Sequence, residues 1–133
     1  MTINFYCRIW TKNNPTVNLT HAEFNGLDFK TLHREDGPAI EFINSDIGWW
    51  YENGLRHREN GPAIEYTTGE QQWWINDKRH RLDGPAIITQ YGNHEWWVNN
   101  KVLQTQDVEN WIEENNINLS SEEGQMAFKL RWC

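Results

Sequence analysis

The segment His33-Arg34-Glu35-Asp36-Gly37-Pro38-Ala39-Ile40 returns as His57-Arg58-Glu59-Asn60-Gly61-Pro62-Ala63-Ile64 and again as His80-Arg81-Leu82-Asp83-Gly84-Pro85-Ala86-Ile87, at offsets of 24 and 23 residues. Twelve residues after each Gly stands a Trp pair, Trp49-Trp50, Trp73-Trp74 and Trp96-Trp97. A turn dipeptide follows each pair: Asn53-Gly54, Asn76-Asp77 and Asn99-Asn100. Identities held in register three times mark a small unit that cannot bury its apolar face alone and must stack on its neighbours. Trp49 to His57 is 8 residues and Trp73 to His80 is 7. The extra residue is therefore placed in the turn at residues 51–55, because a slip inside a strand would turn every side chain to the wrong face.

Each unit reads as two short strands. The first starts after Gly-Pro, where a proline is tolerated at the edge of a ladder, and runs Ala39-Ile40-Glu41-Phe42 in the first copy. The second is centred on the Trp pair, and the Asn-Gly type dipeptide then supplies the positive φ values of a tight hairpin. The expected fold is mainly β: an elongated, twisted antiparallel sheet of tandem β-hairpins, with a short α-helical C-terminal cap.

Trp50-Tyr51-Glu52-Asn53-Gly54-Leu55-Arg56-His57, repeated at about 23 residues, resembles a MORN repeat. The Asp-Gly-Pro-Ala form is similar to a divergent subgroup seen in phage, large DNA virus and bacterial proteins. The likeness spans about residues 24–104. It departs from the usual pattern in the doubled Trp, and in Arg34, Arg58 and Arg81 where a Gly often follows the His. What the resemblance implies is a scaffold that binds proteins, sometimes lipids, and often dimerises, rather than an enzyme.

The boundaries follow from the repeat: an N-terminal cap at 1–32, copies at about 33–56, 57–79 and 80–104, and a cap at 105–133. Ile3, Phe5, Cys7 and Ile9 alternate with polar residues as in a strand, and Phe24-Asn25-Gly26-Leu27 echoes the Asn53-Gly54-Leu55 turn as a degenerate half-copy. Thr105 is placed to cap a helix over about 106–115, with Val108, Trp111 and Ile112 on one face. Ser120 with Glu123 resembles a capping box that would start a second helix. Met126, Phe128, Leu130 and Trp132 alternate instead with Ala127, Lys129 and Arg131, and the expectation taken is a final strand.

Nineteen acidic and 12 basic side chains leave a formal charge of −7 on 133 residues. That balance argues against nucleic acid as the main ligand, since phosphate binding relies on Lys and Arg displacing counterions. Residues 105–133 carry six acidic and two basic side chains, which makes an acidic surface including Glu113 and Glu114 a candidate contact for a basic partner. No apolar run approaches the ~20 residues that cross a bilayer, and no secretory n-region opens the chain. A cytoplasmic protein is expected, in the host cytoplasm if the source is a phage or virus. Cys7 and Cys133 are expected to be free thiols.

Successive histidines in the copies should lie roughly 10 Å apart, two strands on, too far to share one zinc. His33, His57 and His80 are therefore read as bonding their own turns, with Asp36, Gly37, Asn60, Gly61, Asp83 and Gly84 as turn residues and no metal or cofactor. Arg34, Arg58 and Arg81 are read first as structural, with a basic ladder for an acidic partner or lipid headgroup as the alternative. Adjacent strand residues point to opposite faces, so the Trp pairs are expected to form two rows. One row (Trp49, Trp73, Trp96 or Trp50, Trp74, Trp97) is buried; the other is half-covered or exposed.

The candidate partner contacts are Trp50, Trp74, Trp97, Arg58, Arg81, Glu113 and Glu114. No Gly-rich phosphate loop, nucleophile elbow or Cys-x-x-Cys is present in the sequence. The function expected is a non-enzymatic protein-interaction module, with homodimerisation through a sheet edge or face as one form. The alternatives are a small acidic phage or viral effector that inhibits a host defence protein, and a carbohydrate or lipid-headgroup binder.

Overall fold

The computed structural model describes residues 4–13 and 16–133. The described residues are mainly β, in short antiparallel strands, with three α-helices among them. In order it runs β1 (Cys7–Ile9), β2 (Val17–Leu19), α1 (His21–Asn25), a 3-10 turn at Phe29–Thr31, β3 (Ile40–Phe42), β4 (Gly48–Trp49), β5 (Tyr51–Glu52) and β6 (Leu55–Arg56). It continues with β7 (Ile64–Glu65), β8 (Gln71–Gln72), β9 (Trp74–Ile75), β10 (Lys78–Arg79), β11 (Ile87–Ile88), β12 (His94–Val98) and β13 (Lys101–Leu103). The chain closes with α2 (Thr105–Glu114) and α3 (Glu122–Trp132). The strands fall into several sheets: β2-β1-β3-β4, β13-β12-β11-β8-β7, and the two-stranded pairs β5-β6 and β9-β10.

The tight turns form as the sequence reading has them. Asn53-Gly54, Asn76-Asp77 and Asn99-Asn100 close β5–β6, β9–β10 and β12–β13, and all six residues have positive φ, from 47° at Asn76 to 77° at Gly54. Two consecutive positive φ values define the type I′ hairpin, whose twist matches that of the strands. Asn, Asp and Gly are the residues that enter this region at least cost.

The register of the Trp pairs differs from the sequence reading. Trp50 N–H donates to Ala63 O and Trp73 N–H to Ala86 O, while Trp50 O and Trp73 O accept from His57 and His80. Trp50 and Trp73 are thus equivalent, and Trp50-Tyr51 corresponds to Trp73-Trp74 and Trp96-Trp97. Trp49 instead faces Ile40 across the ladder, as Gln72 faces Ile64 and Glu95 faces Ile87. The extra residue lies in the loop before the Trp, not after it. Phe42 N–H reaches Ile47 O, whereas Tyr66 and Thr89 reach Glu70 O and Asn93 O four residues on. The rows are Trp50, Trp73, Trp96 on one side and Tyr51, Trp74, Trp97 on the other.

Trp10 makes the same bonds as Trp50 and Trp73, donating to Ala39 O and accepting from His33. The N-terminal half-copy is therefore centred on Trp10, not on Phe24-Asn25-Gly26-Leu27, which ends α1 with Gly26 at φ −99°. Ile3, part of the expected N-terminal strand, lies outside the described residues. Trp49 joins an aromatic cluster with Phe24, Phe29, Phe42 and Tyr66. Cys7 is buried in this half, and burial pushes its thiol up to about 11. Both cysteines are free.

The C-terminal segment is two helices, and the expected strand at 126–132 is helical. Ser121, rather than Ser120, caps α3, its Oγ accepting from Gly124 N–H at 2.9 Å. Gln104, rather than Thr105, is the N-cap of α2 and makes no side-chain cap bond. Gly124, Phe128 and Trp132 recur at four-residue spacing and turn inward, so the helical period wins over the alternating one. Gly124 allows the close approach: a Cβ there would collide with Asn118 O. Phe128 and Val108 are fully buried with Trp96 and Val98, flanked by Leu82, Trp111 and Trp132.

Candidate functional site

The repeated spacing within each copy resolves into one device that links successive copies. The His ring accepts at Nδ1 from the backbone of the following Asn turn: His33 from Asn53 (2.9 Å), His57 from Asn76 (3.1 Å) and His80 from Asn99 (3.1 Å). Each His therefore ties its copy to the turn 19 or 20 residues on, rather than to its own Asp-Gly turn. With Nδ1 accepting, the neutral ring carries its proton on Nε2.

The next residue, Arg, folds back over its turn. Its Nη1 donates to the proline carbonyl of the copy: Arg34 to Pro38, Arg58 to Pro62 and Arg81 to Pro85. One guanidinium face lies on the Trp of the preceding copy, at 4.0 Å for Arg34 on Trp10, 4.1 Å for Arg58 on Trp50 and 3.8 Å for Arg81 on Trp73. The same guanidinium lies against Gly37, Gly61 or Gly84, where an added Cβ would meet its carbon at 2.6–2.8 Å. Only glycine leaves room for the arginine.

A second row of stacks runs beside the first. Arg56 lies 3.5 Å from the Trp74 ring centre and Arg79 lies 4.5 Å from Trp97. Asp77 Oδ1 accepts from Arg56 Nε at 2.6 Å, and this bond holds the Asp77 carboxyl below its usual range. Trp74 is buried, while Trp50 and Trp97 are half-buried. None of the nine Trp side chains is fully exposed. The candidate row Trp50, Trp74, Trp97 is thus split between two structural rows, each engaged with arginine.

An open cleft of about 650 Å³ lies between the second and third copies. It gathers Arg58, Asn60, Gly61, His80, Arg81 and Asp83, with Trp73, Ile75 and Leu82 as apolar wall and Gln125 of α3 at one side. The remaining candidates stay apart from it: Glu113 and Glu114 are exposed at the end of α2 and do not line the cleft. Glu109, not singled out in the sequence, ties α2 to β12 through His94 Nδ1 at 2.9 Å and Trp96 Nε1 at 3.4 Å. Its i, i+4 position after Thr105 is its only local signal.

The outer face of α3 was also missed. Met126 and Leu130, one turn apart, are 56% and 81% exposed. Among the described residues no group of three His, Cys, Asp or Glu side chains is placed to hold a metal ion, and no helix is long and apolar enough to cross a membrane. Comparison with family models, curated proteins and solved structures finds no match to this chain.

Proposed function

We propose that the chain is a non-enzymatic protein-interaction module built on MORN-like hairpin copies, which binds a partner protein through its C-terminal cap. The observation that carries this reading is the outer face of α3. A helix already packed by Gly124, Phe128 and Trp132 has no need of apolar residues on its other side, yet Met126 and Leu130 stand in solvent. Exposed apolar side chains grouped on one face are a mark of an interaction site.

The face is flanked by Glu122 and Glu123 in the first turn of α3, within a segment of six acidic and two basic side chains. The partner that fits is a protein other than a second copy, presenting an apolar surface edged by Lys or Arg. The equivalent hydrogen bonds in the three copies support the elongated hairpin array as the scaffold behind the cap. The arginine–tryptophan stacks engage the rows that a sugar or headgroup would need, which weighs against that alternative.

The test is affinity capture with the full chain and with a Met126→Glu/Leu130→Glu variant, each checked for native circular dichroism. A protein retained by the parent and lost by the folded variant, rebinding as a purified partner, is the expected result. Equal retention by both, or retention of nothing but the chain's own copies, rejects the reading.

A further inference from the structure

The arginine device is completed by an acid in two of its three copies. Arg34 Nε donates to Asp36 Oδ1 at 3.2 Å and Arg81 Nε to Asp83 Oδ1 at 2.7 Å. In the second copy the acid is replaced by Asn60, and among the described residues Arg58 Nε and Nη2 have no hydrogen-bond acceptor. Arg34 is further bonded to Glu41 at 2.9 Å, whereas Glu65, the equivalent residue, stands 4.0 Å from Arg58.

The histidine beside the same cleft has lost its acid too. His33 Nε2 lies 3.7 Å from Glu35, and His57 Nε2 lies 3.8 and 3.9 Å from Glu52 and Glu59. Leu82 holds the corresponding place in the third copy, where it packs against the Trp96–Phe128 cluster. Among the described residues His80 Nε2 therefore has no carboxylate within 4.0 Å. Both departures from the repeated pattern remove a negative charge, and both border the one cleft.

We propose that this cleft binds the carboxylate of an acidic side chain on a partner polypeptide, seated on Arg58 where the first and third copies hold their own aspartate. The proposal rests on the reading of the chain as an interaction module and adds a contact of different chemistry from the apolar face of α3. The Nε and Nη2 of that guanidinium, free of any acceptor among the described residues, form the planar fork that matches two carboxylate oxygens. The ring of His80, with Nδ1 accepting from Asn99 N–H, presents its Nε2 as a donor, and burial, then the Lys129 charge, lowers its pKa.

The rest of the cleft selects a peptide over a bare anion. Trp73, Ile75 and Leu82 provide an apolar wall for the residues beside the acid. Glu59 and Asp83 also border the cleft, and they oppose a polyanion such as a nucleic acid backbone. A single carboxylate adds one charge and meets Arg58, whose Nε and Nη2 have no acceptor among the described residues.

The discriminating variant is Asn60→Asp, which restores the acid of the other two copies and so leaves the fold intact while occupying Arg58 from within. The probes are a capped pentapeptide with one Glu between two Leu, the same peptide with Gln, and inorganic phosphate. Proton–nitrogen NMR of the arginine Nε and tryptophan Nε1 signals reads the response.

Saturable shifts of Arg58 and Trp73 with the Glu peptide are expected. They should weaken about tenfold or more with the Gln peptide and with N60D, while N60D melts at the same or a higher temperature. No shift, an equal response to the Gln peptide or to phosphate, or full retention of binding by N60D overturns the proposal. Any of these, together with partner capture that still depends on Met126 and Leu130, removes the cleft but leaves the interaction module standing.

Discussion

The Arg81 guanidinium carbon lies 3.8 Å from the centre of the Trp73 ring, and a Cβ on Gly84 would come within 2.6 Å of it. The arginine thus contacts an aromatic ring of one copy and the glycine of its own. Such a contact joins two copies through a cation, a ring and a backbone that are all only partly open to water.

Gly84→Ala should displace that guanidinium and cost about 1–3 kcal/mol, seen as a lower urea midpoint. The clash is with the arginine rather than with backbone. In an Arg81→Ala background the same change is expected to lose most of its cost, because contacting residues do not add independently. Equal cost in both backgrounds would refute the stacked arrangement.

Asn76 holds φ at 47° in its turn. Asn76→Ala is expected to destabilise by about 1–2 kcal/mol, since alanine keeps the Cβ that crowds the carbonyl in the left-handed region and loses the short polar side chain that offsets it in asparagine. Asn76→Gly should be near neutral. Thermal melts that rank Ala and Gly alike would count against the type I′ hairpin.

Burial, and then the Lys129 charge, hold the His80 pKa below its ordinary 6.5. The unfolded chain then binds more protons than the folded one in the window below 6.5, so the stability present above that pH is lost as pH falls through it. Urea midpoints at about pH 7.5 and 5.5 should differ by more in the parent than in His80→Asn. Asp77, whose carboxyl is lowered by the Arg56 bond, acts in a separate window: its contribution is present above the ordinary aspartate pKa and lost at more acid pH. An unchanged pH response in His80→Asn would exclude this histidine as the source.

Phe128 is fully buried against Trp96 and Trp111. Trp96 has no following arginine, because Gln104 stands where Arg58 and Arg81 stand in the earlier copies, and Phe128 covers its ring instead. Phe128→Ala should cost about 3–5 kcal/mol. Amide exchange should quicken first in α2 and α3, whose core cluster is separate from the N-terminal one. Uniform quickening through β3–β10 would mean that the cap has no independent stability.

The repeated segment made the hairpins legible, and the Asn-Gly, Asn-Asp and Asn-Asn dipeptides made their turn type legible. The arginines are read first as structural, and nothing in the sequence signals their stack on the preceding Trp. The Trp rows were misread because Trp49-Trp50 looks like the other pairs, while Trp49 occupies the place of Gln72 and Glu95. Counting from Trp to Asn in each copy, which gives three residues from Trp50, Trp73 and Trp96 alike, would have found the correct register. The same count from Trp10 reaches Asn13 and marks the N-terminal half-copy.

What the sequence by itself determined about the arginine–tryptophan device is local: which residues turn, and which His, Arg and Gly recur together. Those choices follow from backbone sterics and from contacts a few residues long. Tertiary structure decided that Arg81 stacks on Trp73, that Phe128 replaces an arginine over Trp96, and that α3 turns Phe128 inward and leaves Leu130 in water. It also brought Asn60 and Leu82, two separate departures from the pattern, to one cleft. A short apolar stretch satisfies both strand and helix periods, and only the partner surface available for burial selects between them.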